Sequence, residues 1–77
     1  MSTCQGYRNW NHWNVSLWIH NDYGLYCFAR DLVRSCDNRD DAARIMLEYL
    51  NDIGTTKTPD GAPYTFTSVR AALVGEW

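Results

Sequence analysis

Two histidines, three cysteines and a knot of aspartates are the residues of this chain with the chemistry to hold a metal or move a proton. Cys4, His12, His20 and Cys27 have no compact ligand spacing of the Cys-x-x-Cys kind, so the thiols read as buried or idle and no metal is expected. His12 and His20 lie eight positions apart, roughly 12 Å of rise on a helix, and each reads as an exposed polar residue. Asp40 and Asp41 are adjacent rather than facing, a poor arrangement for a general acid and base. A calcium loop would need oxygen ligands at alternating positions and a central glycine, which Asp37, Asp40 and Asp41 do not supply. The five glycines are isolated, so no phosphate-cradling loop is present. These residues encode no recognisable catalytic machine, and the expectation is a non-enzyme without a cofactor.

Charge narrows the class further. Seven basic against nine acidic residues give a net charge of −2, with no excess to hold a polyanion. Tight nucleic-acid binding by the chain alone is therefore not expected. No apolar run approaches the roughly 20 residues of a membrane span, and the opening Met-Ser-Thr-Cys-Gln-Gly lacks a charged and then apolar leader. An odd cysteine count without a leader points to a reducing compartment, the cytoplasm. Cys27 and Cys36, nine positions apart on one helix, would be separated by roughly 13 Å of rise. That is beyond the roughly 7 Å between Cα atoms that a disulfide tolerates.

The elements that carry these residues read as helices. Trp10, Trp13, Leu17 and Trp18 fall at i, i+3, i+7 and i+8 and share one face of a helix over about residues 10–20, capped by Asn9 or Asn11. Asn21 is suited to the left-handed conformation that ends a helix, and Asp22 to capping the next, over about 23–36. There Leu25, Phe28, Ala29, Leu32, Val33 and Cys36 form an apolar stripe. Asn38 caps a third helix over about 39–53, whose stripe is Ala42, Ile45, Met46, Tyr49, Leu50 and Ile53, with Gly54 as its stop. Residues 55–63 lack a pattern and read as a loop with a Pro59-Asp60-Gly61 turn, the one internal candidate for mobility. Thr67 is read as the cap of a last helix over about 68–75, with Val69, Ala72, Leu73 and Trp77 as its stripe.

The whole of residues 1–77 therefore reads as one all-α domain, a compact small bundle of about four short helices. Its expected core is Trp10, Trp13, Leu17, Trp18, Leu25, Phe28, Leu32, Val33, Ile45, Met46, Tyr49, Leu50, Ile53 and Leu73. On that reading Trp13→Ala costs about 3–5 kcal/mol. Eleven aromatic residues exceed what one helix face can use. Tyrosine and tryptophan are enriched in protein interfaces, so Tyr23 and Tyr26 are taken as contact residues. Asp37, Asp40 and Asp41 join them as a local acidic patch, although Asp40 and Asp41 also suit the first turn of a helix.

Tyr7-Arg8-Asn9-Trp10, Trp13-Asn14-Val15, Leu17-Trp18-Ile19, Asn21-Asp22, Gly24-Leu25-Tyr26 and Ala29-Arg30 together resemble a group of small proteins of bacteriophages and other mobile elements. That group carries the block Asn-Trp-x-Thr-Trp-Asn-Val-x-Leu-Trp-x-x-Asn-Asp, with His12 here in place of its threonine. The likeness covers residues 7–30 and transfers no catalytic or binding residue. It implies an origin, and the origin implies inhibition of a bacterial host factor by direct binding, first of all a CRISPR–Cas surveillance complex, as anti-CRISPR proteins do. The other class to weigh is a small phage nucleic-acid-binding or transcriptional regulator. A homo-oligomer that associates through its aromatic surface is a third.

Overall fold

The computed structural model describes residues 9–74 and residue 77. Cys4, Tyr7 and the lead-in expected over residues 1–8 lie outside the described residues. Four side-chain oxygens mark where helices begin. Asn9 accepts from the His12 N–H at 3.0 Å, Asp22 from Leu25 at 3.0 Å, Asn38 from Asp41 at 2.8 Å and Thr65 from Ser68 at 3.1 Å. Each satisfies a backbone donor that the first turn leaves without a helical partner. The helices are α1 (Trp10–Asn21), α2 (Tyr23–Ser35), α3 (Arg39–Asp52) and α4 (Phe66–Leu73). The expected all-α bundle of four short helices is the fold found.

Two boundaries differ from expectation. Asn21 stays helical, and Asp22 alone makes the corner. Its N–H donates to the Trp18 carbonyl at 3.0 Å while its carboxylate caps α2, so one residue closes one helix and opens the next. The last helix begins at Phe66 with Thr65 as its cap, two residues before the position expected from Thr67. The reason is a reciprocal pair: Thr65 accepts from the Ser68 N–H, and the Ser68 hydroxyl accepts from the Thr65 N–H at 3.0 Å. Serine stands where glutamate or glutamine usually completes such a box, which hides the signal in the sequence.

The helices pack in a ring, α1 on α2, α2 on α3, α3 on α4 and α4 on α1. Their shared interior is filled by Val15, Ile19, Ala29, Leu32, Ala42, Ala43, Met46, Leu50, Val69, Ala72 and Leu73. The radius of gyration is 11.5 Å, which is about what a close-packed chain of this length has. Four of the interior residues are alanines, so the helices approach closely and leave no room for an indole. That overturns the expected tryptophan core. Val15 and Ile19 point inward from α1, while Trp10 is 46% exposed and Trp13, Leu17 and Trp18 are half-buried. Leu32, Met46, Leu50 and Leu73 are buried as expected. Leu25, Phe28 and Val33 pack against the core from its edge, and Ile45, Tyr49 and Ile53 are exposed.

The expected loop over 55–63, with its Pro59-Asp60-Gly61 turn, is found, and it is fastened to α1. Gly54 (φ 79°) ends α3 in the left-handed conformation, as expected, and Gly61 (φ 97°) takes it in the turn. Across the turn the Thr58 N–H donates to the Ala62 carbonyl and the Thr58 carbonyl accepts from the Gly61 N–H, each at 2.8 Å. The Thr58 hydroxyl accepts from the Ala62 N–H at 3.0 Å and donates to Asn14 Oδ1 at 2.6 Å. Asn14 Nδ2 in turn donates to Asp60 Oδ2 at 2.8 Å, and the Trp18 indole N–H donates to the same oxygen at 2.9 Å. The buried amide of Asn14 is thus satisfied at both ends, which is the condition for burying it.

Two outcomes follow from this packing. Ile19→Ala, which empties a fully buried site, should cost about 2–5 kcal/mol. Trp13→Ala should cost less, about 1–2 kcal/mol, as a partly exposed side chain does, and urea denaturation of the pair gives the order. Separately, the hydrogen bonds from Asn14 first and Trp18 second hold the Asp60 carboxyl below its ordinary value. A depressed folded value contributes stability that is complete above the unfolded value of about 3.9 and is lost as pH falls through the lowered one. The gap in urea midpoint between wild type and Asp60→Asn should therefore be open at neutral pH and close on acidification below about pH 4. A gap that does not change with pH would refute this linkage.

Candidate functional site

The side chains that do not fit the interior are where the molecule meets its surroundings. Along α3, Ala42, Met46 and Leu50 recur every four residues and turn inward, together with Ala43. Ile45, Tyr49 and Ile53 recur at the same interval one position out of phase and form a ridge beside that face. They are 42%, 41% and 52% exposed. On the α2 side of the ridge, Phe28 meets Tyr49 with ring centroids 4.8 Å apart. Where α2 begins and α3 ends, the two helices leave a groove of about 240 Å³, lined by Leu25, Tyr49, Leu50 and Ile53, with Asp22, Gly24 and Thr55 around them. This apolar shoulder was hidden in the sequence because its residues belong to the same stripe as the core.

Charge is distributed unevenly around it. Five arginines are committed to internal acceptors. Arg70 donates to Asp40, Arg44 to Asp41 at 2.9 Å, Arg39 to the Leu73 carbonyl at 2.7 Å and Arg34 to the main-chain oxygen of Trp77 at 3.1 Å. Arg30 lies 3.8 Å from Asp31. Among the described residues no ion pair forms at Asp22, Asp37, Glu48 or Asp52. Asp52 and Glu48 stand on α3 next to the ridge, and Asp22 borders the groove. Burial first and the Asp22 charge second hold the Tyr64 phenol above its usual value, so the carboxylate is felt by its neighbours.

The five residues expected to form a contact surface fall at two ends of α2. Tyr23 opens that helix and is 81% exposed, its phenol raised above the usual value by a hydrogen bond with Cys27 and then by the charge of that thiol. Tyr26 packs with Trp77 at 5.4 Å between centroids, and Trp77 with His20 at 4.6 Å. Asp37, Asp40 and Asp41 lie beyond the other end of α2, which at 13 residues spans roughly 20 Å. The structure does not bring the tyrosines and the aspartates together. Two of the aspartates are also neutralised by arginines, while Asp37 has no ion pair among the described residues. No group of three or more histidine, cysteine, aspartate or glutamate side chains is placed to hold a metal among the described residues. No helix there is long and apolar enough to cross a membrane.

The chain belongs to the family of unknown function DUF7249, whose model matches residues 1–76. No curated protein and no solved structure matches it.

An apolar side chain that stays half-exposed contributes less to stability than one that is fully buried. Ile53→Ser should shift unfolding free energy by less than about 1 kcal/mol, while lowering the fluorescence of an apolar dye bound to the native protein. Loss of the fold in this variant would return Ile53 to the core.

Proposed function

We propose that this chain works by binding another protein, and that its target is a bacterial host defence factor, a CRISPR–Cas complex first among them. The observation that carries the binding role is the α2–α3 shoulder, where Ile45, Tyr49 and Ile53 are exposed beside a groove. Contiguous apolar side chains rimmed by polar ones mark interaction sites on small soluble domains. Tyrosine at the centre of such a patch supplies large contact area at low entropic cost. The choice of target rests on the resemblance of residues 7–30 to mobile-element proteins, and it places the action in the host cytoplasm.

The charge distribution supports a protein over a nucleic acid as the partner. Among the described residues Arg30, Arg34, Arg39, Arg44 and Arg70 all have internal acceptors, which leaves Lys57 as the cation free to track a phosphate backbone. The contact surface proposed here is the shoulder, with Tyr23 and Asp37 as outlying contacts. Asp40 and Asp41, paired with arginines, act as helix-end and inter-helix ties.

The test is capture of partners by the tagged protein from its bacterial host, paired with survival of phage or plasmid against CRISPR and restriction systems. Wild type should retain a defence protein and raise survival. Tyr49→Ala with Ile53→Asp should lose both while keeping the helical circular-dichroism spectrum, since one buried aromatic anchor contributes about 2 kcal/mol, roughly 30-fold in affinity. Unchanged survival, or micromolar binding to DNA at physiological salt, would overturn the proposal in favour of the regulatory class.

A further inference from the structure

Resting on the reading of the shoulder as a docking surface, we infer the chemistry of what it accepts: an amphipathic helix with apolar anchors flanked by lysine or arginine. Three observations converge on this. The first is length. Ile45 on α3 and Ile53 at its C-cap are eight residues apart, roughly 12 Å of rise, which two turns of a second helix match with anchors at i, i+3 or i+4, and i+7.

The second is shape. The groove lies between the start of α2 and the end of α3, and Gly24 lines it without a side chain. A Cβ built there meets only the Asp22 Oδ1 atom, at an ordinary 3.4 Å. The space beside Leu25, Tyr49 and Ile53 is therefore open to an incoming aliphatic or aromatic anchor.

The third is charge. The carboxylates bordering the ridge and groove are Asp22, Glu48 and Asp52, none in an ion pair among the described residues. Arg44, on the same helix, is held by Asp41 at 2.9 Å. An apolar stripe with an acidic rim selects a segment with a basic rim, both by attraction and by penalising acidic competitors. The same rim argues against a second copy of this chain, because a two-fold pairing through α3 would set Glu48 and Asp52 against their own kind.

The experiment is an amide NMR titration of the full chain with a fourteen-residue peptide of leucine and lysine at helical spacing, beside a twin with glutamate for lysine. The lysine peptide should shift the amides of Leu25, Tyr49 and Ile53, and binding should weaken with added salt. The glutamate twin should leave them in place. Gly24→Leu, which fills the groove, and Asp52→Lys, which reverses its rim, should each weaken the lysine peptide at least tenfold with the fold kept. No shifts, equal shifts with both peptides, shifts centred on α1 or α4, or indifference to Gly24→Leu would overturn the inference. So would concentration-dependent self-association that Ile53→Asp abolishes. If Tyr49→Ala with Ile53→Asp still loses its captured partner while the lysine peptide does not bind, the basic-helix chemistry falls and the docking surface stands. If that variant keeps its partner, the surface itself falls.

Discussion

The buried amide of Asn14 sets the rotation of α1, and the rotation of α1 decides what the rest of the molecule can do. Its oxygen accepts from Thr58 and its nitrogen donates to Asp60, so both ends are held by the turn that joins α3 to α4. Rolling α1 to bury its tryptophans would strand this amide, and an unsatisfied buried polar group costs about 1–3 kcal/mol. The indole of Trp18 reinforces the choice by bonding the same Asp60 oxygen. With α1 so fixed, Val15 and Ile19 are its apolar side chains in the buried core.

Between the helices the interior is alanine, valine, isoleucine, leucine and methionine, with Tyr64 the buried aromatic among the described residues, which explains where the other large residues went. Aromatic bulk that the ring cannot hold is displaced to its edges: Trp10 on α1, Phe28 and Tyr49 between α2 and α3, Trp77 against His20 and Tyr26. The arginines then close the gaps between helices and bind carbonyls at helix ends. Arg39 takes the carbonyl of Leu73, at the end of α4. Among the described residues the charges left outside ion pairs are, apart from Lys57, mostly acidic, and acidic and apolar side chains meet at the α2–α3 shoulder.

The helices were legible because their start signals are local. Asn9, Asp22 and Asn38 act through a backbone donor three residues on, a distance that a sequence displays. The rotation of α1 was not legible, because apolar residues occur on every side of that helix and periodicity cannot choose among them. The deciding contacts join positions more than forty residues apart, Asn14 with Thr58 and Asp60. The loop at 55–63 and its Pro59-Asp60-Gly61 turn were legible, but its ties to α1 were not, for the same reason: the partner lies elsewhere in the chain. On α2 and α3 the stripes were found, but a stripe has a width. Which of its edges is covered depends on how closely the neighbouring helix approaches, and the alanines that set this approach carry little weight in a pattern of large apolar residues.

The single-residue corner at Asp22 gives the shoulder a fixed phase. Because no spacer separates α1 from α2, the azimuth of every α2 side chain is inherited from α1. One inserted residue would turn α2 by about 100° and carry Phe28 out of reach of Tyr49. The corner therefore acts as an index mark: it couples the alignment of one helix, secured by an amide on one side of the ring, to the width of a cleft on the other. Drift in this chain is freer in the identity of side chains along α2 than in the count of residues leading into it.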